Sequence, residues 1–197
     1  MNRKALLTAV SALVLPACGT GDVVETPRRP NVLLVVLDTV RADALSCYGN
    51  PRPTTPRLDR LAGEGTRFEN AYATCFWTLP SHASLLTGLY PSQAGATSET
   101  NHLPERVTTC AERLAAAGYQ TSAVVRNPWI SIERGFGQGF EGFTEDWRDD
   151  TGHEAEEEDQ AVDLAAGWIR DRGAAGEPWF LFVNLNVAHL PYTPPEP

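Results

Sequence analysis

The sequence has no surplus of positive charge. Sixteen lysines and arginines stand against 25 aspartates and glutamates, for a formal net charge of −9. A nucleic-acid backbone would be repelled, which argues against nucleic acid as a partner. No apolar run is long enough for a comfortable membrane helix; the N-terminal one, Ala5 to Leu15, is too short. Cysteine is scarce, with Cys47, Cys75 and Cys110 beyond an early Cys18, and no spacing among them suits zinc. Nor does any stretch set oxygen ligands around a glycine as a calcium loop requires. That holds even for Glu141 to Asp159, where ten acidic residues accompany one base, Arg148. Such a run reads as solvated and mobile.

What is present begins with an address. Arg3 and Lys4 precede the Ala5–Leu15 run, the pattern of a secretory signal. The run closes as Leu15-Pro16-Ala17-Cys18-Gly19, which is similar to a bacterial lipobox with Cys18 as the lipidated residue. This predicts an exported protein anchored to a membrane, periplasmic or at the cell surface. An ordinary cleaved signal with a stray cysteine is the alternative. The expected organisation is a signal over 1–18, a polar, proline-containing tether over 19–30, and one domain over 31–197. At 42% hydrophobic residues, that domain has material for a real core. In an exported chain, Cys47, Cys75 and Cys110 allow at most one disulfide and leave a thiol over. Buried apolar cysteines are the simpler reading.

Val32 to Leu37 is unbroken and valine-rich, the pattern of a strand buried on both faces in a parallel sheet. Asp38 follows at its carboxyl end, where open α/β sheets bind ligands. It is either a metal-holding acid or a cap for the next turn. Thr55-Pro56 opens a helix with Leu58, Leu61 and Ala62 as its apolar stripe and Gly63 and Gly65 as its stop. Arg67 to Tyr72 reads as a short strand or extended segment. Thr109-Cys110-Ala111-Glu112 is a capping box, followed by a helix to Gly118 and a strand over Thr121 to Val125. The aromatic and glycine-rich Arg126 to Phe143 reads as a loop packed by its rings. A later helix carries Val162, Ala165, Trp168 and Ile169 on one face. Trp179 to Leu185 is another apolar strand, and His189 follows it.

Ala73 to Gly88 is the stretch with chemistry. Pro80 suits the first turn of a helix and Gly88 its end, so Thr78 is expected just outside the N-terminus. There the unpaired N–H groups and the helix dipole favour an anion. Thr78 is then either a helix cap or a nucleophile set beside an anion site.

Arg29-Pro30-Asn31-Val32-Leu33-Leu34-Val35-Val36-Leu37-Asp38-Thr39-Val40-Arg41-Ala42-Asp43, followed by Ala73 to Gly88, resembles the sulfatase family of the alkaline phosphatase superfamily. The resemblance continues to Pro195. It implies an alkaline-phosphatase-like α/β fold, a mostly parallel sheet flanked by helices. It also implies metal-assisted displacement on an anionic sulfate or phosphate ester. A divalent metal is implied, usually calcium, with zinc and manganese as alternatives. Carried over by position, Asp38 is a metal ligand, and Thr39 stands where many relatives have a second metal-binding acid. Thr78 is nucleophile and ligand, while His82 and His189 stabilise charge. His189, within His189-Leu190-Pro191-Tyr192, would contact the transferred group. Arg126 lies near the usual place of a substrate-binding lysine.

Two departures qualify this. Family members of the usual type have Cys-x-Pro-x-Arg, with the cysteine converted to formylglycine; here the segment is Thr78-Leu79-Pro80-Ser81-His82. Threonine cannot become formylglycine, and Cys75 has no proline in register. Threonine nucleophiles serve phosphodiesterases and phosphoethanolamine transferases of the same superfamily, so phosphoryl chemistry competes. The chain also stops soon after His189, before the later segment that supplies relatives' remaining metal ligands. The expectation is therefore an N-terminal part of a sulfatase-like hydrolase, truncated before that segment. A threonine-dependent phosphoesterase or transferase, or a non-catalytic lipid-anchored remnant, is the alternative.

Overall fold

In the computed structural model, which describes residues 29–149, 154–186 and 188–189, four parallel strands form one sheet. They are β1 (Val32–Leu37), β2 (Gln120–Val125), β3 (Gly142–Glu145) and β4 (Trp179–Leu185), in the spatial order β1-β4-β2-β3. The last strand in sequence thus inserts between the first two. In register, Leu37 lies beside Leu185 and Val125 beside Asn184. The ladders run one residue further, through Asp38 N–H to the Leu185 carbonyl at 2.8 Å and Arg126 N–H to the Asn184 carbonyl at 3.2 Å. Asp38, Arg126 and Asn184 are therefore brought to one end of the sheet.

Alternation along the strands sorts the side chains into two layers. Phe180 and Phe182 of β4 join Ala123 and Val125 of β2 on one face, against α2 (Thr78–Thr87) and α4 (Cys110–Ala116). Leu181 and Val183 join Val124 on the other, against α5 (Glu154–Ala175). α5 meets the sheet through Ala161 and Ala165, with Trp168 and Ile169 partly buried beside them. Val162, expected on that face, is 48% exposed and Ala161 takes its place, while Ala165, Trp168 and Ile169 lie where expected.

β1 departs from the expected burial on both faces. Val32, Leu34 and Val36 pack on the α2 side, but Leu33 and Val35 are 49% and 46% exposed. The reason is position: among the described residues β1 lies at an edge of the sheet, and α5 packs mainly on β4 and β2.

The connecting segments follow local chemistry. α1 (Pro56–Glu64) begins after Thr55 with Pro56 in its first turn, and runs through Gly63 to Gly65. Arg67 to Tyr72 makes no strand. Between α2 and α4, α3 (Pro91–Ala94) is a single turn closed by Gly95. At α4, the Thr109 hydroxyl accepts from Glu112 N–H at 3.1 Å, and Glu112 accepts from Thr109 N–H at 2.7 Å, the reciprocal box that was expected. The loop after β2 packs closely, with Phe136 fully buried and Phe140 stacked on Phe180 and Phe182. Gly139, at φ +82°, leaves no room for a Cβ against the Glu112 backbone, so that approach requires glycine.

The acidic run is more structured than its composition suggests. Gly142–Glu145 is strand β3, and Asp146–Asp149 forms a 3-10 turn. Asp146 is buried, because Arg126 reaches it with an ion pair of 2.9 Å. Cys47, Cys75 and Cys110 are free thiols and half-buried, and burial pushes the Cys110 thiol up. The signal, Cys18 and the tether up to Arg28 lie outside the described residues, as do Pro191 and Tyr192.

Candidate functional site

At the carboxyl end of the sheet, buried polar groups gather around Asp38. Asp38, His82, Asn127 and Asn184 are all below 9% exposed. Asn127 lies two residues past β2. Its Nδ2 donates to Asp38 Oδ2 at 2.8 Å and reaches Thr78 Oγ1 at 3.4 Å. One amide thus touches both the carboxylate that ends β1 and the hydroxyl that begins α2. Asp38 and Thr78, each singled out in the sequence, are thus linked through one side chain.

Thr78 is not outside the helix, as expected, but its first residue. Trp77 takes the N-cap position in extended conformation and makes no side-chain cap. The Thr78 side chain therefore does not cap, and its hydroxyl faces Asn127. Pro80, inside the first turn, removes one N–H that would otherwise lack a partner. Gly88 ends the helix at φ +72°, as expected.

His82 lies one turn further along α2. Its Nδ1 is 2.8 Å from the Thr78 carbonyl. A carbonyl only accepts, so Nδ1 carries the proton and Nε2 is left as an acceptor, 3.5 Å from Asn184 Nδ2. Burial pushes the His82 pKa below its ordinary value, outweighing the opposite pulls of the Thr78 carbonyl and the Asp38 charge. At neutral pH this imidazole is neutral, and its one proton is engaged. That differs from the expected protonated charge stabiliser.

Thr39 turns away from this cluster. At φ +59°, unusual for a β-branched residue, its hydroxyl donates to the Ala188 carbonyl at 2.9 Å. The bond ties the end of β1 to the segment after β4. His189, half-buried, follows directly, its N–H donating to the Asn186 carbonyl at 2.8 Å. His189 is therefore held at the same end of the sheet as Asp38. Arg126 is directed elsewhere: its guanidinium, 7% exposed, pairs with Asp146. That internal pairing replaces the expected contact with an anionic ester.

Two site residues were missed in the sequence, Asn127 and Asn184. The signal for Asn184 was a polar residue inside an otherwise apolar strand. For Asn127 it was position, since the rule that selected Asp38 applies equally to a polar residue just beyond β2.

The donors available to a metal ion can be compared with what such ions take. Among the described residues no three His, Cys, Asp or Glu side chains cluster. Asp38 brings a carboxylate and Thr78 a hydroxyl. Asn184 brings a buried amide oxygen with no hydrogen-bond partner. These are hard oxygen donors of the kind calcium and magnesium prefer, so the set fits such a cation in kind. In number it supplies fewer than the roughly six to eight oxygens calcium takes.

A sulfatase family model matches residues 30–197. The chain belongs to the sulfatase family. It is 31% identical over 205 residues to the N-acetylglucosamine-6-O-sulfatase of Bacteroides thetaiotaomicron, an alignment covering 98% of this chain and 36% of that one. A protein solved in complex with its substrate D-glucosamine-2-N,6-O-disulfate has the same fold, with a TM-score of 0.70 and 27% identity over 84% of this chain and 36% of the other. The phosphonate monoester hydrolase of Agrobacterium radiobacter gives a TM-score of 0.70 at 25% identity, over 86% of this chain and 43% of that one. This sulfatase domain thus spans less than half the length of each of these relatives.

Proposed function

We propose that this sulfatase domain carries the nucleophile of an exported hydrolase of sulfate esters. The observation that carries the reading is the single Asn127 amide touching both Asp38 and Thr78 in a chain of this family. Thr78 Oγ1 gives up its proton to solvent water and forms a bond to sulfur, while the bond from sulfur to the leaving alcohol oxygen breaks and that oxygen takes a proton. Water then cleaves the threonine sulfate ester, releasing sulfate and restoring the hydroxyl. His189, rather than the neutral, engaged His82, is the candidate to protonate the leaving oxygen. Asp38 and Thr78 are the candidate holders of a divalent cation, with calcium favoured by the oxygen donors. When bound, such an ion polarises the ester and lowers the pKa of the attacking hydroxyl. The names of the relatives favour a sulfated sugar as substrate class.

The test is turnover of aryl sulfate and aryl phosphate esters by the chain and its Thr78→Ala variant, with calcium, manganese or zinc. Sulfate turnover that vanishes in Thr78→Ala supports the reading; equal background rates for both proteins reject it. Preference for the phosphate ester would favour a threonine-dependent phosphoesterase, a reading supported by Thr78 itself and by the likeness to the phosphonate monoester hydrolase. We further propose lipid anchoring at Cys18. Radiolabelled palmitate should enter the exported chain and fail to enter Cys18→Ala; export without label would support a plain cleaved signal.

A further inference from the structure

We propose that Asn127 is a positioning residue that orients the Thr78 hydroxyl through the same amide that holds Asp38. This rests on the reading of Thr78 as nucleophile. The orientation of the amide is decided by its other end. Asn127 Oδ1 accepts the Trp129 N–H at 2.9 Å. A backbone N–H only donates, so the oxygen must face Trp129 and the –NH₂ must face the site. That –NH₂ has two hydrogens and two acceptors before it, Asp38 Oδ2 at 2.8 Å and Thr78 Oγ1 at 3.4 Å. With Asn127 only 2% exposed, water cannot readily take over either bond.

The surroundings hold both partners still. Trp77, next to Thr78, meets Trp129, two residues past Asn127, edge to face at 5.0 Å between ring centres. Arg134 lies over the Trp129 ring at 4.1 Å. The two loops that deliver hydroxyl and amide are thus clamped to each other by their aromatic neighbours. A donor fixed 3.4 Å from a hydroxyl is long for the neutral group. Even at that length it restricts the directions Oγ1 can take, and a misplaced nucleophile loses rate rather than binding. An asparagine needed only to bond the Trp129 N–H would use its oxygen alone, and aspartate would serve as well. The –NH₂ is what distinguishes the two roles.

Asn127→Asp keeps an acceptor for Trp129 and replaces the donors with oxygen; Asn127→Ala removes both. With an aryl sulfate ester, each variant should lose about 100-fold in kcat with KM nearly unchanged. Thr78-dependent turnover with kcat unaltered in both variants overturns this inference alone. Turnover by Thr78→Ala equal to the parent's overturns the nucleophile reading, and this inference with it. A second measurement needs no turnover. The side-chain amide of Asn127, followed by ¹H–¹⁵N NMR in the full chain, should shift in Thr78→Val and in Asp38→Asn. An amide unmoved in folded Thr78→Val overturns the inference whether or not Asp38→Asn folds.

Discussion

Two regions of this domain reach a defined conformation by opposite means. β2, β4 and α2 are held by burial: Phe180, Phe182, Leu181, Leu79 and Val125 are at most 2% exposed. The segment from Arg41 to Phe76 is held by short polar ties. Asn50 Nδ2 donates to the Asp43 and Ala44 carbonyls at 3.0 and 3.2 Å, and the Thr54 hydroxyl donates to Ala44 at 2.7 Å. Ser46 Oγ donates to Asp59 Oδ2 at 2.7 Å and so fixes the start of α1. No residue of α1 is buried, and Leu61, Phe68, Tyr72 and Phe76 are between 64% exposed and fully exposed. The difference shows that apolar periodicity reports a helix without reporting what covers it. The candidate site lies on the buried side of this divide, where polar groups are costly unless paired. This is why Asp38, Asn127, His82 and Asn184 contact one another.

The contrast can be tested by substitution. Phe182→Ala, in the centre of the sheet, should lose about 3–5 kcal/mol in denaturant unfolding; a loss below about 1 kcal/mol would mean that β4 is not the core. Next comes His82. Its pKa is lower folded than unfolded, so the unfolded chain takes the extra proton first as pH falls. Its contribution is complete above the ordinary value of 6.5 and declines as pH drops below it. Urea midpoints across that range, with a chelator present, should show a slope that His82→Gln flattens. Thr109→Ala, which removes the capping box, should lose about 1 kcal/mol. Leu61→Ala, on the exposed helix, should change stability by no more than about 0.5 kcal/mol. A larger loss at Leu61 would show that α1 is covered in solution and would break the comparison.

Much of the fold could be read in advance where local chemistry decides it. The strands at Val32, Thr121 and Trp179 come from apolar runs, and the Thr109–Glu112 box and the Gly88 stop from side chains with few other uses. The candidate site was half legible. Asp38 and Thr78 stood out by residue type and position, while Asn127 is an ordinary asparagine until β2 sets it beside β4 and α2. Arg126 could not be judged from sequence, because its partner, Asp146, lies 20 residues on within an acidic run that reads as solvated.

The sequence alone determined β1, β2, β4 and the main helices, though not β3, and that an acid and a hydroxyl stand at the ends of two of these elements. Those features depend on neighbours within a few residues. Tertiary structure decided the rest: which face of β1 is covered, which arginine is neutralised, and which histidine keeps its proton turned inward. The covering of β1 depends on the insertion of β4 between β1 and β2, the Arg126 pair on β3 lying beside β2, and the neutral state of His82 on its burial beneath the sheet. No local pattern encodes that crossing, because it is selected by the burial of the whole sheet.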